Sequence, residues 1–333
     1  MFDVIIIGAG PSGLFSIFQA GMMGLSCAVI DALPSLGGQC NALYPEKPIY
    51  DIPAYPRILA QELIDQLYRQ IEPFKPIFFL DQQALSIHQN EDQNFTVTTA
   101  ANNKIEGRTI IIAAGGGSFG PNRPAIENIL EFENKSVFYS VTKQEIFQDK
   151  KIVIAGGGDS AIDWSLSLSE IASKIYLVHR RNKFKATPES MKRIYTQVEE
   201  GKMELVIPYQ LHKIHGQNGR LDTVEVIDFD NNTKLIEADY LLPFFGLSMN
   251  VGPISDWGIE IEDKHIRVDP STMQTNIKGV FAVGDIINYP GKLKLILTGF
   301  AEAALACHSV YSIVNNGAEV HFEYSTTKGI PNK

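Results

Sequence analysis

Two short glycine-rich segments hold the residues of this chain best suited to chemistry: Gly8-Ala9-Gly10-Pro11-Ser12-Gly13 and Gly156-Gly157-Gly158-Asp159-Ser160-Ala161. Each comes after an apolar run, Val4-Ile5-Ile6-Ile7 in the first case and Ile152-Val153-Ile154-Ala155 in the second. A buried strand, a tight turn and a helix start leave backbone N–H groups free at the helix N-terminus. A pyrophosphate can reach them because glycine carries no Cβ. Two such turns in one chain imply two nucleotide cofactors facing each other, and the natural pairing is a flavin with a nicotinamide. Asp159 and Asp163 also suit a helix start on purely electrostatic grounds.

The residue types at the end of the second strand of each unit separate the two sites. Asp31 ends that strand in the first unit. An acidic residue there accepts a hydrogen bond from a ribose 2′-hydroxyl and repels a 2′-phosphate, so the first nucleotide is FAD or NAD. The equivalent strand of the second unit, 174–178, runs into His179-Arg180-Arg181, with Lys183 and Lys185 close behind. Guanidinium groups grip a 2′-phosphate bidentately and lysines add point charge, so this site prefers NADPH to NADH. A solvated basic turn is the alternative reading of the same residues. Further along, Gly284 precedes Asp285 and would let that carboxylate come close to a polyol chain.

Strands and helices must hold these residues in place. The pattern predicts a strand, loop and helix over 2–22, a strand at 26–30, an amphipathic helix over 57–71 and strands at 85–88, 94–99 and 109–113. Ala113-Ala114-Gly115-Gly116-Gly117, with Pro121 and Pro124, reads as a linker. A second βαβ unit opens at Lys151, and strands at 222–229 and 239–244 close it. Phe245-Gly246-Leu247 reads as the second linker, with a strand within 276–285 and a helix over 298–314 beyond it. The expected fold class is α/β, with two Rossmann-like (ββα, parallel-sheet) dinucleotide-binding domains, the second inserted in the first. Residues 1–117 and 245–333 form the expected FAD domain, and 118–244 the NADPH domain.

Composition narrows the function classes. The chain has 333 residues and a net charge of −9, which argues against nucleic acid as a partner. Segment 118–244 holds 16 Lys and Arg against 18 Asp and Glu, whereas the remainder holds 13 against 20. The middle is thus relatively basic, which suits a phosphorylated ligand or an acidic partner; ordinary scatter reads equally well. The three cysteines, Cys27, Cys40 and Cys307, form no C-x-x-C, so neither a redox dithiol motif nor a zinc knuckle is present. His88, His215 and His265 show no metal spacing, and no metal site is expected. Free buried thiols and the lack of a secretory pattern lead to the expectation of a cytoplasmic protein. The stretch 293–314 approaches membrane-span length but contains Lys294, Glu302 and His308, so a core helix, and no membrane, is expected.

Taken together, the two glycine loops, Gly37-Gly38-Gln39, His179-Arg180-Arg181 and Gly284-Asp285 resemble the two-dinucleotide flavoproteins that include thioredoxin reductase. The redox C-x-x-C of thioredoxin reductases has no counterpart here, because the corresponding segment reads Phe138-Tyr139-Ser140-Val141-Thr142. Leu43-Tyr44-Pro45-Glu46-Lys47, Tyr50-Asp51, the run Lys292-Leu293-Lys294-Leu295-Ile296-Leu297-Thr298-Gly299 and the tail Tyr324-Ser325-Thr326-Thr327 are similar to ferredoxin–NADP⁺ reductases of the thioredoxin-reductase-like type.

That resemblance implies a homodimeric FAD oxidoreductase. NADPH would be the hydride donor, and ferredoxin or flavodoxin the one-electron partner. The alternative is an NADPH diaphorase or flavin reductase with another acceptor. A nucleotide-binding regulatory protein without turnover is a third class, disfavoured by the retention of both loops, the basic cluster and Asp285. The resemblance also assigns roles. Asp31 would hold the adenosine ribose, Gln39 and Tyr44 would contact the flavin half, and Ala84 would offer backbone groups to adenine. Phe119 would pack near the isoalloxazine, and Asp285 would bind the ribityl or pyrophosphate region. Thr326 would bond the flavin from the tail. Tyr50 would stack on one ring face and Tyr324 on the other, across the dimer. Without the resemblance, Tyr50, close behind Pro48, reads as a turn residue packing on the surface. If Tyr324 covers the nicotinamide position, the tail must move and the central domain must rotate on 115–120 and 245–247.

Overall fold

The computed structural model describes residues 1–318 and 329. The chain divides into two compact units, Met1–Phe119 with Met249–Lys333, and Gly120–Ser248. It crosses between them through the strands Ser118–Pro121 and Leu247–Asn250.

The first unit is built on parallel strands in the order Ile77–Phe79, Cys27–Ile30, Phe2–Ile7, Lys104–Ile112, Val280–Ala282. Val4, Ile5 and Ile6 have no exposed surface, and neither do Ala28, Val29 or Ile110–Ile112. Strands covered on both faces read as continuous β-branched runs, which is why these were legible. The strand ending at Ile112 is longer than the 109–113 expected. Over its first half, Lys104, Glu106 and Arg108 alternate with Ile105, Gly107 and Thr109. That half carries the antiparallel meander Ala84–Gln89 and Phe95–Thr99. The charged residues of this half interrupt the apolar run that marked 109–113.

Helix Pro11–Met22 packs on helix Ile296–Val314, with Phe15 and Phe300 at 4.8 Å between ring centroids. The Cys307 thiol donates to the Ser16 carbonyl at 3.4 Å. The second helix is long and apolar enough to cross a membrane by length and composition. Here it packs Ala303, Ala306, Cys307 and Val310 into the core of the unit.

The second unit repeats the plan. Its parallel sheet runs Met203–Val206, Lys174–Val178, Lys151–Ala155, Tyr240–Pro243. The helix Asp159–Leu168 comes directly after the glycine turn. An antiparallel sheet of Gln210–Gln217, Arg220–Ile227 and Thr233–Glu237 is added. Only its middle strand was expected, and at 222–229. It stops at Ile227 because the Asp228 carboxylate accepts the N–H groups of Asp230 and Asn232 and turns the chain. Its first strand escaped notice because register shifts near Leu211 and His215 break the alternation. Both units are parallel-sheet α/β folds of the dinucleotide-binding kind.

Phe147 is fully buried in the second unit, 5.1 Å edge-on from Tyr240 and 6.1 Å from Phe138. Phe147→Ala should lower stability by about 3–5 kcal/mol, read as a shift in the denaturant midpoint of this unit. A shift under about 1 kcal/mol would contradict the packing described.

Candidate functional site

The first site begins at the turn between Phe2–Ile7 and Pro11–Met22. Gly8 has φ +109°, and a Cβ there would lie 2.3 Å from the Ala113 carbonyl oxygen. A Cβ at Gly13 would lie 1.9 Å from the Gly8 carbonyl oxygen, so the helix could not start where it does. At Gly10 the nearest atom to such a Cβ is 3.9 Å away, so space opens beside the backbone. Gly10 caps the helix without a side-chain hydrogen bond, Pro11 occupies its first turn, and no acidic residue lies there. The helix N-terminus is therefore free to receive an anion.

A cavity of about 620 Å³ opens from this turn, wholly within the first unit. Gly8, Gly10, Ser12, Asp31, Gly38 and Gln39 contribute to its wall, as do Tyr44, Ala84 and Asp285. Asp31 lies at the end of its strand, and its carboxylate holds the loop. One oxygen accepts the Ala9 N–H at 2.5 Å, the other the Leu33 N–H at 2.8 Å. Burial raises its pKa above the ordinary carboxylate value, and the two N–H bonds work against that rise. Helix Gln39–Leu43 sets Cys40 beside Tyr44, with Sγ 3.7 Å from the phenol oxygen. A dinucleotide fits this wall: it offers free amides for a pyrophosphate, polar groups at Asp31 and Asp285, and apolar surface between.

Part of the wall was not legible. Val251, Pro253, Ile254 and Trp257 line the cavity from the far side of the inserted unit. The Trp257 indole donates to the Leu85 carbonyl at 2.9 Å and fixes this flank to the meander. An apolar turn containing Pro and Trp directly after the second linker was the available signal. Gln82 also lines the cavity and accepts from Thr99 Oγ1 at 2.8 Å.

The remaining expected residues of this site lie outside the cavity wall or are not described. Gly13 shapes the turn but is not in the wall. Tyr50 is 67% exposed and outside the cavity, so nothing in this unit alone places it on a bound ring. The side chain of Phe119 is not among those described, and Tyr324 and Thr326 lie outside the described residues.

The second site is in the second unit. The helix Asp159–Leu168 starts at Gly158, again with no side-chain cap, and Asp159 and Ser160 are exposed. A Cβ at Gly157 would fall 2.1 Å from the His179 ring, so the loop and the end of strand Lys174–Val178 touch only because Gly is there. The Lys185 N–H donates to the Gly157 carbonyl at 2.7 Å, and Phe184 packs 4.9 Å from the His179 ring. The basic turn is thus tied to the phosphate loop. Burial, with the charges of Arg180 and Arg181, lowers the His179 pKa below its ordinary value. Arg180, Arg181, Lys183 and Lys185 are exposed, and none is paired with a carboxylate among the described residues. His179 and the Lys185 backbone therefore lie against the loop that starts this helix, with Arg180, Arg181 and Lys183 exposed in the same turn.

All three cysteines are buried and free. Burial pushes Cys40 up to about 11 and Cys27 up to about 12, and raises Cys307 as well. Among the described residues no three His, Cys, Asp or Glu could hold a metal.

Known proteins share both the sequence and the fold. A profile of the pyridine nucleotide-disulphide oxidoreductase family matches residues 2–303. A protein of Rickettsia canadensis (strain McKiel) named ferredoxin–NADP reductase is 59% identical over 98% of this chain and 96% of its own. One of that name from Wolbachia pipientis wMel is 55% identical over 99% and 98%. Among solved structures, Lactococcus lactis thioredoxin reductase (FR conformation) superposes with a TM-score of 0.80 at 24% identity, covering 95% of this chain and 100% of that one. T. acidophilum thioredoxin reductase gives 0.79 at 23%, covering 93% and 98%. These two likenesses concern the fold.

Two outcomes are expected. Replacing Arg180 and Arg181 with Ala should weaken NADPH binding far more than NADH binding, at about 1.5–3 kcal/mol per charged hydrogen bond lost. Equal losses in a titration of both nucleotides would refute a 2′-phosphate site. Because the raised pKa values leave the thiolates populated only at strongly alkaline pH, the native protein at pH 8 should react with a disulfide reagent roughly a hundredfold more slowly than the denatured chain. A fast-reacting native thiol would reopen dithiol chemistry.

Proposed function

The chain belongs to the pyridine nucleotide-disulphide oxidoreductase family, and from that premise we propose that it is an FAD-dependent ferredoxin–NADP⁺ reductase. The observation that carries the reading is the 55–59% identity, over nearly the full length of both chains, to proteins of that name. Bound FAD supplies acceptance of a hydride and release of electrons singly. The protein's part is to bind and orient. Residues 1–117 and 245–333 hold the flavin nucleotide, with the uncapped amides after Gly10 on its pyrophosphate, Asp31 and Ala84 on the adenosine half, and Gln39, Tyr44 and Asp285 on the other. Residues 118–244 hold NADPH, with the amides after Gly158 on its pyrophosphate and Arg180, Arg181 and Lys185 on its 2′-phosphate.

The acceptor is ferredoxin or a similar one-electron carrier, in a cytoplasmic homodimer. Free thiols support a reducing compartment. The exposed cations Lys183, Lys185, Lys192 and Arg193 give an acidic carrier a place to dock on an otherwise acidic protein. Tyr50 and Tyr324 cover the flavin ring in this reading, and the tail acts as a lid.

NADPH-driven cytochrome c reduction, with and without a [2Fe–2S] ferredoxin, tests the assignment. A large stimulation that weakens with salt is expected. Flavin bleaching by NADPH with no ferredoxin effect would instead leave a diaphorase using another acceptor. Deleting the residues after Phe322 should speed hydride transfer, and an unchanged rate would count against a lid.

A further inference from the structure

Helix Ile296–Val314 carries a carboxylate in the core. Glu302 is 1% exposed, and its partner Lys292 has a side chain that is 1% exposed. Local sequence explains how the partners meet. Tyr289-Pro290-Gly291-Lys292 closes a turn in which the Lys292 N–H donates to the Tyr289 carbonyl at 3.0 Å and Gly291 has φ +85°. Pro second and Gly third, with positive φ, is the type II pattern. Its two end residues therefore lie side by side and reach the same carboxylate oxygen. The Tyr289 hydroxyl donates to Glu302 Oε1 at 2.7 Å and the Lys292 ammonium at 2.5 Å. Burial, then the bond to Glu302, pushes the Tyr289 phenol up to about 12, so it stays a donor at ordinary pH.

The second oxygen does something different. Glu302 Oε2 accepts the Gly284 N–H at 2.8 Å. Gly284 is buried, has φ +80°, and starts the short turn Gly284–Ile286 that presents Asp285 to the cavity. One helical turn before Glu302, a Cβ at Gly299 would lie 2.2 Å from Ser12 Oγ and 3.5 Å from Gly284 Cα. One face of the helix thus presses Gly299 against the Asp285 turn and the phosphate-loop helix, while Glu302 grips the turn's amide.

We propose that Glu302 is a positioning residue for the flavin nucleotide: it fixes the Gly284 amide and so aims Asp285 into the cavity, while Lys292 and Tyr289 satisfy its charge. This rests on the assignment of that cavity to FAD. An orphaned buried amide and an unpaired buried charge are both costly, so the turn reorganises when Glu302 cannot accept. What matters at Gly284 is an acceptor; the charge matters only because Lys292 is buried beside it.

The test is FAD affinity of the full-length apoprotein, by titration with FAD. Asp285→Ala should weaken FAD by about tenfold or more, and K292M/E302L, which removes both charges and the acceptor, by a similar factor. Combining the two should add no more than about twofold, because Asp285 is already misdirected. K292M/E302Q keeps an acceptor for Gly284 and should bind FAD within about threefold of the unaltered protein. Multiplicative losses, or a K292M/E302Q variant as weak as K292M/E302L, would overturn the proposal while leaving the FAD assignment standing. An Asp285→Ala protein that binds FAD normally would remove Asp285 from the site, and the proposal with it. Should K292M/E302L fail to fold, E302Q and K292M/E302Q decide. Restored FAD affinity on adding Lys292→Met is expected, and no restoration overturns the proposal.

Discussion

No side chain fits at Gly13, because a Cβ there would sit 1.9 Å from the Gly8 carbonyl. That contact sets how closely helix Pro11–Met22 approaches strand Phe2–Ile7, and much of the first unit depends on it. With the helix pressed against the turn, its first amides open into the cavity with no side-chain cap. Asp31 then closes the turn from the neighbouring strand by accepting the Ala9 N–H. The C-terminal helix completes the arrangement from outside, with Gly299 against Ser12 and Glu302 on the Gly284 amide. In the proposed reading, affinity for a pyrophosphate comes from backbone held in place.

The second unit reuses the device with a different sign at the same topological position. Strand Cys27–Ile30 ends in a carboxylate, and strand Lys174–Val178 ends in His179 and two arginines. Each position lies just past the second strand of a parallel sheet, where a nucleotide ribose is read. A carboxylate favours a free 2′-hydroxyl and guanidinium groups favour a phosphate, so in the proposed reading the two units take different nucleotides. The Gly157–His179 contact and the Lys185 bond to Gly157 hold the basic turn to the loop.

Local physics decided how much of this could be read from sequence. The fully buried strands, both glycine turns and the C-terminal helix were legible because burial on both faces leaves an apolar run and close approach leaves glycine. Lys104–Arg108 and the hairpin around Gln210–Gln217 were not, because half-exposed and bulged strands lose that signature. Asp31, Gln39, Tyr44, Ala84 and Asp285, named from motifs or family resemblance, line one cavity. The flank from Val251 to Trp257 was hidden, since it reaches the cavity only after the chain has built another unit. Glu302 carried the opposite problem. Its charge counted against a membrane span, yet its real significance lies in facing Lys292 in the core. Tyr50 was named by family likeness and not by any local signal, and in its own unit it is exposed.

The proposed electron path runs from NADPH to a bound flavin, and from there singly to an iron–sulfur carrier. An anaerobic spectrophotometric titration of the flavin-loaded protein puts that path to the test. Adding NADPH should bleach the flavin absorbance, and adding oxidised ferredoxin should restore it at about two carriers per flavin. A flavin that NADPH does not bleach, or that stays bleached in the presence of excess ferredoxin, would rule the path out.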